Sequence, residues 1–244
     1  MRVAVIADIH GNLEALNAVL ADIERRRVDL IVNLGDIVSG PLKPSETIDR
    51  LLPLGLPSIR GNHERQLLTF DVENMGESDR FAAARIEPAQ RAWLAALPET
   101  LLLGDGIFLC HGTPANDLDY LLESVDHTGC CAAQVHEIKE RLAGCEAALI
   151  VCAHSHKPRV VHLGDRCLVL NPGSVGLQAY EASKPHPHVM QTGSPHARYA
   201  IASKEGDQWS AELVQVEYDW EAAAQLAQAN NRPDWARALR SGRV

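Results

Sequence analysis

The sequence has no stretch of about 20 consecutive apolar residues, the length that a helix needs to cross a bilayer. It also has no internal repeat, low-complexity run or linker-like segment. The first predicted strand begins at Arg2, so we expect no signal peptide. These absences favour a single domain over residues 1–244 that is cytoplasmic and has no membrane partner.

None of the six cysteines belongs to a C-x-x-C pair. Cys130 and Cys131 are adjacent, which is a poor geometry for a mutual disulfide. Cys110 and Cys152 lie in apolar, strand-like runs, where cysteine usually serves as a small buried hydrophobe. We therefore expect no disulfide framework, and this agrees with the cytoplasm as the compartment.

Positive charge is also scarce, because the formal net charge is −9. A general nucleic-acid-binding surface would need lysine and arginine to replace the counterions of the phosphate backbone. The charge therefore argues against a nucleic-acid partner and against a nuclease. A small nucleotide substrate stays compatible with it, since bound cations can supply positive charge locally.

What the sequence does contain is an apolar strand that ends on metal-ligand residues. Residues 2–7 form a near-continuous apolar run, followed by Asp8 and, two residues later, His10. Such a run is typical of a strand covered on both faces, and ligands bind at the carboxyl ends of such strands in open α/β sheets. An amphipathic helix and a second apolar strand follow, which predicts a right-handed βαβ unit.

Four further apolar segments end on residues of the same types. These residues are Asp36; Asn62 and His63; His111; and His154 and His156. Each has an ordinary explanation when taken alone, since aspartate is common in turns and histidine is common at surfaces. Random placement rarely puts eight such residues at the ends of five strands. Carboxylate oxygens and imidazole nitrogens bind divalent metals, so the pattern predicts a metal centre.

The order D-x-H, G-D, G-N-H-E, H-G and H-x-H, followed by N-P-G-S, resembles the calcineurin-like metallophosphoesterases. Their small bacterial and archaeal phosphodiesterase branch is the most similar in spacing, and the resemblance covers residues 1–216 in outline. It implies an α/β fold, a four-layer α/β/β/α sandwich of two mixed sheets with the site at the strand ends. It also implies a dinuclear metal-dependent phosphoesterase.

The resemblance further implies a role for each of the eight residues. One metal ion would be held by Asp8, His10 and His156. The second would be held by Asn62, His111 and His154. Asp36 would bridge the two ions, and His63 would be a catalytic residue that lies against the phosphate and the leaving group without binding metal.

The chemistry of these groups agrees with those roles. Two cations about 3.5–4 Å apart can clamp the attacking and the leaving oxygen of an in-line phosphoryl displacement. A water that bridges them loses a proton near neutral pH and becomes the nucleophile. Mixed nitrogen and oxygen ligands favour manganese, with iron, zinc, nickel or cobalt as alternatives, over magnesium. His63 could protonate the leaving oxygen.

The sequence departs from the family pattern at three points. Ala153 stands where a glycine usually precedes H-x-H, and Leu177-Gln178 stands where Pro-Arg often follows N-P-G-S. No Asp-Arg-Gly follows Gly35-Asp36, which argues against phosphoprotein substrates. We therefore expect a small phosphodiester or nucleotide-type substrate and a monomer or small homo-oligomer.

Two other functions stay open at this point. One is a dinucleoside polyphosphate hydrolase within the same enzyme class. The other is a non-catalytic scaffold that keeps the fold, although scaffolds of this kind tend to lose metal ligands or the catalytic histidine.

The segment 181–196 is rich in proline, histidine, serine and glycine. It contains His186, His188 and His196. We interpret it as an ordered surface loop. The alternatives are a substrate lid or a segment that adds a metal ligand.

Overall fold

The computed structural model describes residues 1–164 and 167–244. Its α-helices are α1 (Leu13–Arg26), α2 (Pro44–Leu51), α3 (Asn62–Thr69), α4 (Glu77–Ala83), α5 (Pro88–Ala96), α6 (Val135–Arg141), α7 (Trp220–Ala229) and α8 (Pro233–Ser241). Its strands are β1 (Arg2–Ile6), β2 (Leu30–Asn33), β3 (Thr100–Leu103), β4 (Ile107–Cys110), β5 (Glu123–Asp126), β6 (Gly129–Ala132), β7 (Leu149–Val151), β8 (Arg159–His162), β9 (Leu168–Asn171), β10 (Ala179–Ala182), β11 (His188–Gln191), β12 (Ala197–Glu205) and β13 (Gln208–Val216).

Two mixed sheets form the centre of the fold. The first has the order β13-β12-β1-β2, in which β1 is parallel to β2 and antiparallel to β12. The second has the order β3-β4-β7-β9-β8, in which β4, β7 and β9 are parallel and both edge strands are antiparallel. The carboxyl ends of β1, β2, β4 and β7 carry most of the predicted site residues.

The burial of β1 explains the four layers. Val3 and Val5 face the second sheet, whereas Ala4 and Ile6 face α1 and α2 on the outer side. Burying each valine or isoleucine side chain contributes about 1.5–3 kcal/mol, so an apolar residue on both faces fixes a strand between two layers. Helix α6 packs on the outer face of the second sheet, where Cys110 and Cys152 are buried. The predicted α/β/β/α sandwich is confirmed.

Some local predictions need correction. The segment before Gly61 is not a full strand, because only Ser58 forms a bridge with Asn33 of β2. Segment 181–196 is not simply a loop, since it contains β11 and the end of β10, paired antiparallel. The hairpin of β5 and β6 was not predicted either.

Other local predictions agree with the structure. The C-terminal helix breaks just before Pro233 into α7 and α8, because proline cannot donate the helical hydrogen bond. Strands β8 and β9 pair antiparallel, and residues 165–166 between them lie outside the described residues. None of the six cysteines is in a disulfide. In residues 1–164 and 167–244, no helix is both long enough and apolar enough to span a membrane.

Candidate metal centre

Five of the eight predicted site residues have a left-handed backbone. Their φ angles are +53° at Asp8, His10 and Asp36, +66° at His154 and +56° at His156. This conformation costs a non-glycine residue about 1–3 kcal/mol and clusters at functional sites. It turns the chain sharply after each strand, so that side chains from different strands converge on one point.

The first group of converging side chains consists of Asp8, His10 and His156. All three are buried, with exposed fractions of 0–4%. The Nδ1 atoms of His10 and His156 lie 2.7 Å from the carbonyl oxygens of Ser39 and Leu177, respectively. Each Nδ1 therefore donates to a carbonyl, so Nε2 of each ring carries a lone pair. The two Nε2 atoms face each other at a distance of only 3.1 Å.

The inward-facing atoms of Asp8, His10 and His156 are arranged to suit a bound cation. Burial lowers the pKa of His10 to about 4 and holds that of His156 well below its ordinary value, so both rings are neutral. Two lone pairs that face each other repel unless a positive ion lies between them. Both carboxylate oxygens of Asp8 are buried and have no hydrogen-bond donor in the part of the chain that the structure describes. These three residues could hold a divalent metal ion.

The second group contains His111, Asn62 and His154. Nδ1 of His111 lies 2.8 Å from the carbonyl oxygen of Leu34, which orients the ring. Nε2 of His111 therefore points into the site and lies 3.0 Å from Oδ1 of Asn62. His154 contributes its Nδ1 side, because its Nε2 lies 3.1 Å from the carbonyl of Leu118. Ligand atoms of His111, His154 and Asp36 lie within 4.8 Å of one another.

Asp36 lies between the two groups. Its Oδ2 is 3.2 Å from Nε2 of His111 and 4.0 Å from Nε2 of His10. Burial opposes its ionisation, but the neighbouring imidazoles, His111 foremost, hold the pKa of Asp36 well below its usual range. Conversely, burial opposes protonation of His111, while the Asp36 carboxylate raises its pKa to about 10. A carboxylate in this position reaches toward both groups.

Glu64 positions the loops that carry Asp36 and Asn62. Its Oε2 accepts from the backbone N–H groups of Asp36 (2.8 Å) and Gly61 (2.9 Å), and its Oε1 accepts from Ile37 (2.7 Å). The side chain is fully buried. The sequence carried a signal for this role, since a glutamate at the third helical position caps the helix start. No function in the site was predicted for Glu64 from the sequence.

Replacing Glu64 with glutamine should destabilise the protein by about 2–4 kcal/mol. An amide has one acceptor oxygen for three backbone donors, so at least one buried N–H loses its partner. Glu137→Gln is the matched control: Glu137 is also a third-position cap but lies on α6, and it should cost about 1 kcal/mol or less. Urea unfolding measures both variants. Equal effects would show that Glu64 is an ordinary cap.

His63 lies at the more exposed rim of the site, and one of its ring nitrogens lies within 4.8 Å of ligand atoms of His10 and Asp36. Its side chain is 29% exposed. Its backbone N–H donates to Oδ1 of Asp36 (3.0 Å), and its Nδ1 lies 2.6 Å from Oδ1 of Asp79. Asp79 is buried on α4, within a segment that gave no sequence signal for a site.

Aromatic side chains surround the two groups. Tyr120 stacks on His154 with ring centroids 4.9 Å apart, and Tyr180 meets the edge of His156 at 4.8 Å. Trp235 of α8 meets the edge of His10 at 5.9 Å. These rings restrict the imidazoles to the orientations that direct their nitrogens inward.

The histidine-rich segment contributes to this surround through one residue. Nε2 of His188 lies 3.0 Å from the hydroxyl of Tyr120, which also contacts the hydroxyl of Tyr180. Neither His188 nor the other two histidines of the segment joins the clusters of potential metal ligands found among the described residues. The alternative that this segment adds a ligand therefore has no geometric support.

The sequence matches the family model for the calcineurin-like phosphoesterase superfamily domain over residues 1–192. It is also similar to an uncharacterized protein of Methanocaldococcus jannaschii, with 30% identity over 96% of this chain and 94% of that one. The chain belongs to the calcineurin-like phosphoesterase superfamily. The resemblance inferred from the five motifs is thereby confirmed, and with it a hydrolase family that binds divalent metals.

Two solved structures share the fold of this chain. A metallophosphoesterase from Sphaerobacter thermophilus is 23% identical, with a TM-score of 0.75 and 98% coverage of both chains. A hypothetical protein from Pyrococcus horikoshii OT3 is 21% identical, with a TM-score of 0.76 over 99% of this chain and 98% of that one. These similarities cover α7 and α8 as well as the two sheets.

Proposed function

We propose that this calcineurin-like phosphoesterase hydrolyses small phosphodiesters or nucleotide-type substrates at a centre of two divalent metal ions. One observation carries the proposal: seven buried or half-buried ligand side chains converge from five places in the sequence, with their nitrogen and oxygen atoms directed inward. His10, His156 and Asp8 are the sharpest case, because their inward atoms have no other partner among the described residues.

The geometry supports a division of the ligands between two ions. Asp8, His10 and His156 would hold one ion, and Asn62, His111 and His154 the other, with Asp36 shared. Bound together, two such ions supply charge stabilisation and an activated water for in-line displacement at phosphorus. The nitrogen-rich donor set favours manganese, iron or zinc over magnesium.

His63 is suited to give a proton to the leaving oxygen. Burial opposes protonation of its ring, but the charge on Asp36 and the hydrogen bond with Asp79 raise the pKa of His63 to about 9. The protonated ring donates from Nδ1 to Asp79, which fixes its orientation and leaves the Nε2 proton for the substrate. Its position at the rim lets a substrate reach it.

The space beside the centre suits a small substrate. A cleft of about 320 Å³ adjoins His111, and Thr113, Asn116 and Arg65 also line it. Arg65 is already paired with Asp117 through bonds of 2.6 and 2.8 Å. The cleft therefore offers polar contacts without the broad basic surface that a nucleic acid would need.

The cysteines, none of them in a disulfide, fit a cytoplasmic location.

Metal analysis combined with a substrate panel tests the proposal. The purified protein should carry about two equivalents of divalent metal. It should hydrolyse aryl phosphodiesters faster than monoesters, and chelation should abolish the activity. A preference for dinucleoside polyphosphates would move the assignment to that substrate class. Full metal occupancy without hydrolysis of any of these compounds would favour the scaffold alternative.

A further inference from the structure

Arg198 is a buried arginine without an anionic partner. It lies on β12 with only 4% of its surface exposed. Its Nε and Nη1 atoms are buried and find no acceptor among the residues that the structure describes. Burial lowers the pKa of Arg198, with no carboxylate acting against that shift. An uncompensated buried charge is strongly unfavourable, so this side chain calls for an anion that the described chain does not provide.

The Arg198 side chain lines a cavity of about 340 Å³. Strands β6 and β11 contribute Cys130 and Gln191 to its wall, and the segment after the H-x-H motif contributes Lys157 and Arg159. None of the eight candidate site residues is among its described lining residues. The cavity is therefore separate from the metal centre, although Lys157 directly follows His156.

The charges in this cavity are unbalanced. Arg198, Lys157 and Arg159 are positive, whereas Glu123 is the only carboxylate among the described lining residues. The guanidinium of Arg159 donates to the backbone carbonyls of Leu122 and Ala133. No hydrogen bond or ion pair within the described residues engages the ammonium of Lys157, and Glu123 makes no ion pair with Arg198. Two cations thus remain available in a chain that is acidic as a whole.

We propose that this cavity is a second anion site, which binds the phosphate group of a small molecule between Arg198 and Lys157. A guanidinium and an ammonium together match a phosphate, whose two negative charges balance both cations. A ligand with a single carboxylate would leave one of the two cations without a balancing negative charge. The cavity volume accommodates a phosphate with a short organic group. This site is independent of the catalytic function proposed above.

Isothermal titration of the metal-loaded protein with inorganic phosphate tests the site. A saturable binding event should be present in the unmodified protein and should persist in Asp36→Asn, which we expect to bind no metal ions and therefore no phosphate at the metal centre. Arg198→Met should weaken this event about tenfold or more, because one charge-assisted contact is lost. Arg240→Met is the matched control, since Arg240 is exposed and already paired with Glu221 at 2.8 Å.

Lys157→Gln keeps the test decisive if Arg198→Met does not fold. Lys157 is only half-buried, and its ammonium has no hydrogen bond or ion pair among the described residues. Its loss should also weaken phosphate binding about tenfold. Unchanged phosphate affinity in either folded variant would overturn the proposal. So would the absence of any phosphate binding beyond an event that Asp36→Asn removes.

Discussion

Replacing Asp36 with asparagine should abolish hydrolysis and metal binding together. Asparagine keeps the side-chain oxygen that accepts from the N–H of His63, and the backbone N–H of residue 36 still donates to Glu64. The substitution therefore removes the shared negative charge and little else. Residues that only orient a metal ligand already contribute about 10–100-fold to affinity or activity, so we expect a loss of at least about 100-fold in kcat.

Metal analysis and kinetics on the same preparation measure this effect. Asp29→Asn is the matched control, because Asp29 is exposed and accepts from the backbone N–H of Arg2 at the opposite end of the first sheet. The control should keep both metal content and turnover. Two equivalents of metal at full activity in Asp36→Asn would refute a bridging role for this carboxylate.

Replacing His63 with alanine should lower kcat by about 10²–10⁴-fold while metal content stays unchanged, since general acid catalysis contributes about that much. The backbone N–H that contacts Asp36 is retained in the variant. The loss should grow as the leaving group becomes more basic, because a poor leaving group depends most on proton donation. A series of aryl phosphodiesters with graded phenol pKa values measures this dependence.

His136→Ala is the control for that series. His136 is exposed on α6, and none of the eight candidate site residues is its neighbour in the sequence. It should show the same leaving-group dependence as the unmodified protein. If His63→Ala lost its metal ions, His63 would be a ligand, and the assignment of roles would have to change. An equal loss of kcat for good and poor leaving groups would remove the proton-donor role.

The sequence predicted a convergence of candidate metal ligands because parallel strands bring their carboxyl ends to one edge of a sheet. Asp8, Asp36, His111 and His154 each follow an apolar strand by one to three residues. Pairing of β1 with β2 and of β4 with β7 brings them together two by two, and packing of the two sheets on each other brings the two pairs together. The pattern needed no knowledge of side-chain contacts. The family and the fold could therefore be inferred from spacing, and both are confirmed.

The residues that support the ligands were not predictable in the same way. Asp79 reaches His63 only because α4 folds back toward α3, and its segment has too few periodic apolar residues to show this. His188 lies in a hairpin whose proline- and glycine-rich composition is typical of loops. Only the alternate burial of His188 and Met190 shows that the segment is a strand. Such contacts depend on tertiary packing, which local patterns do not encode.

The contact between Trp235 and His10 constrains the order in which the centre is assembled during synthesis. His10 emerges from the ribosome among the first residues, but the indole that packs against its ring belongs to the last helix of the described chain. The histidine that faces it, His156, also emerges late. Translation is therefore well advanced before the partners of the His10 ring have been made, and these contacts can form only after α8 has left the ribosome.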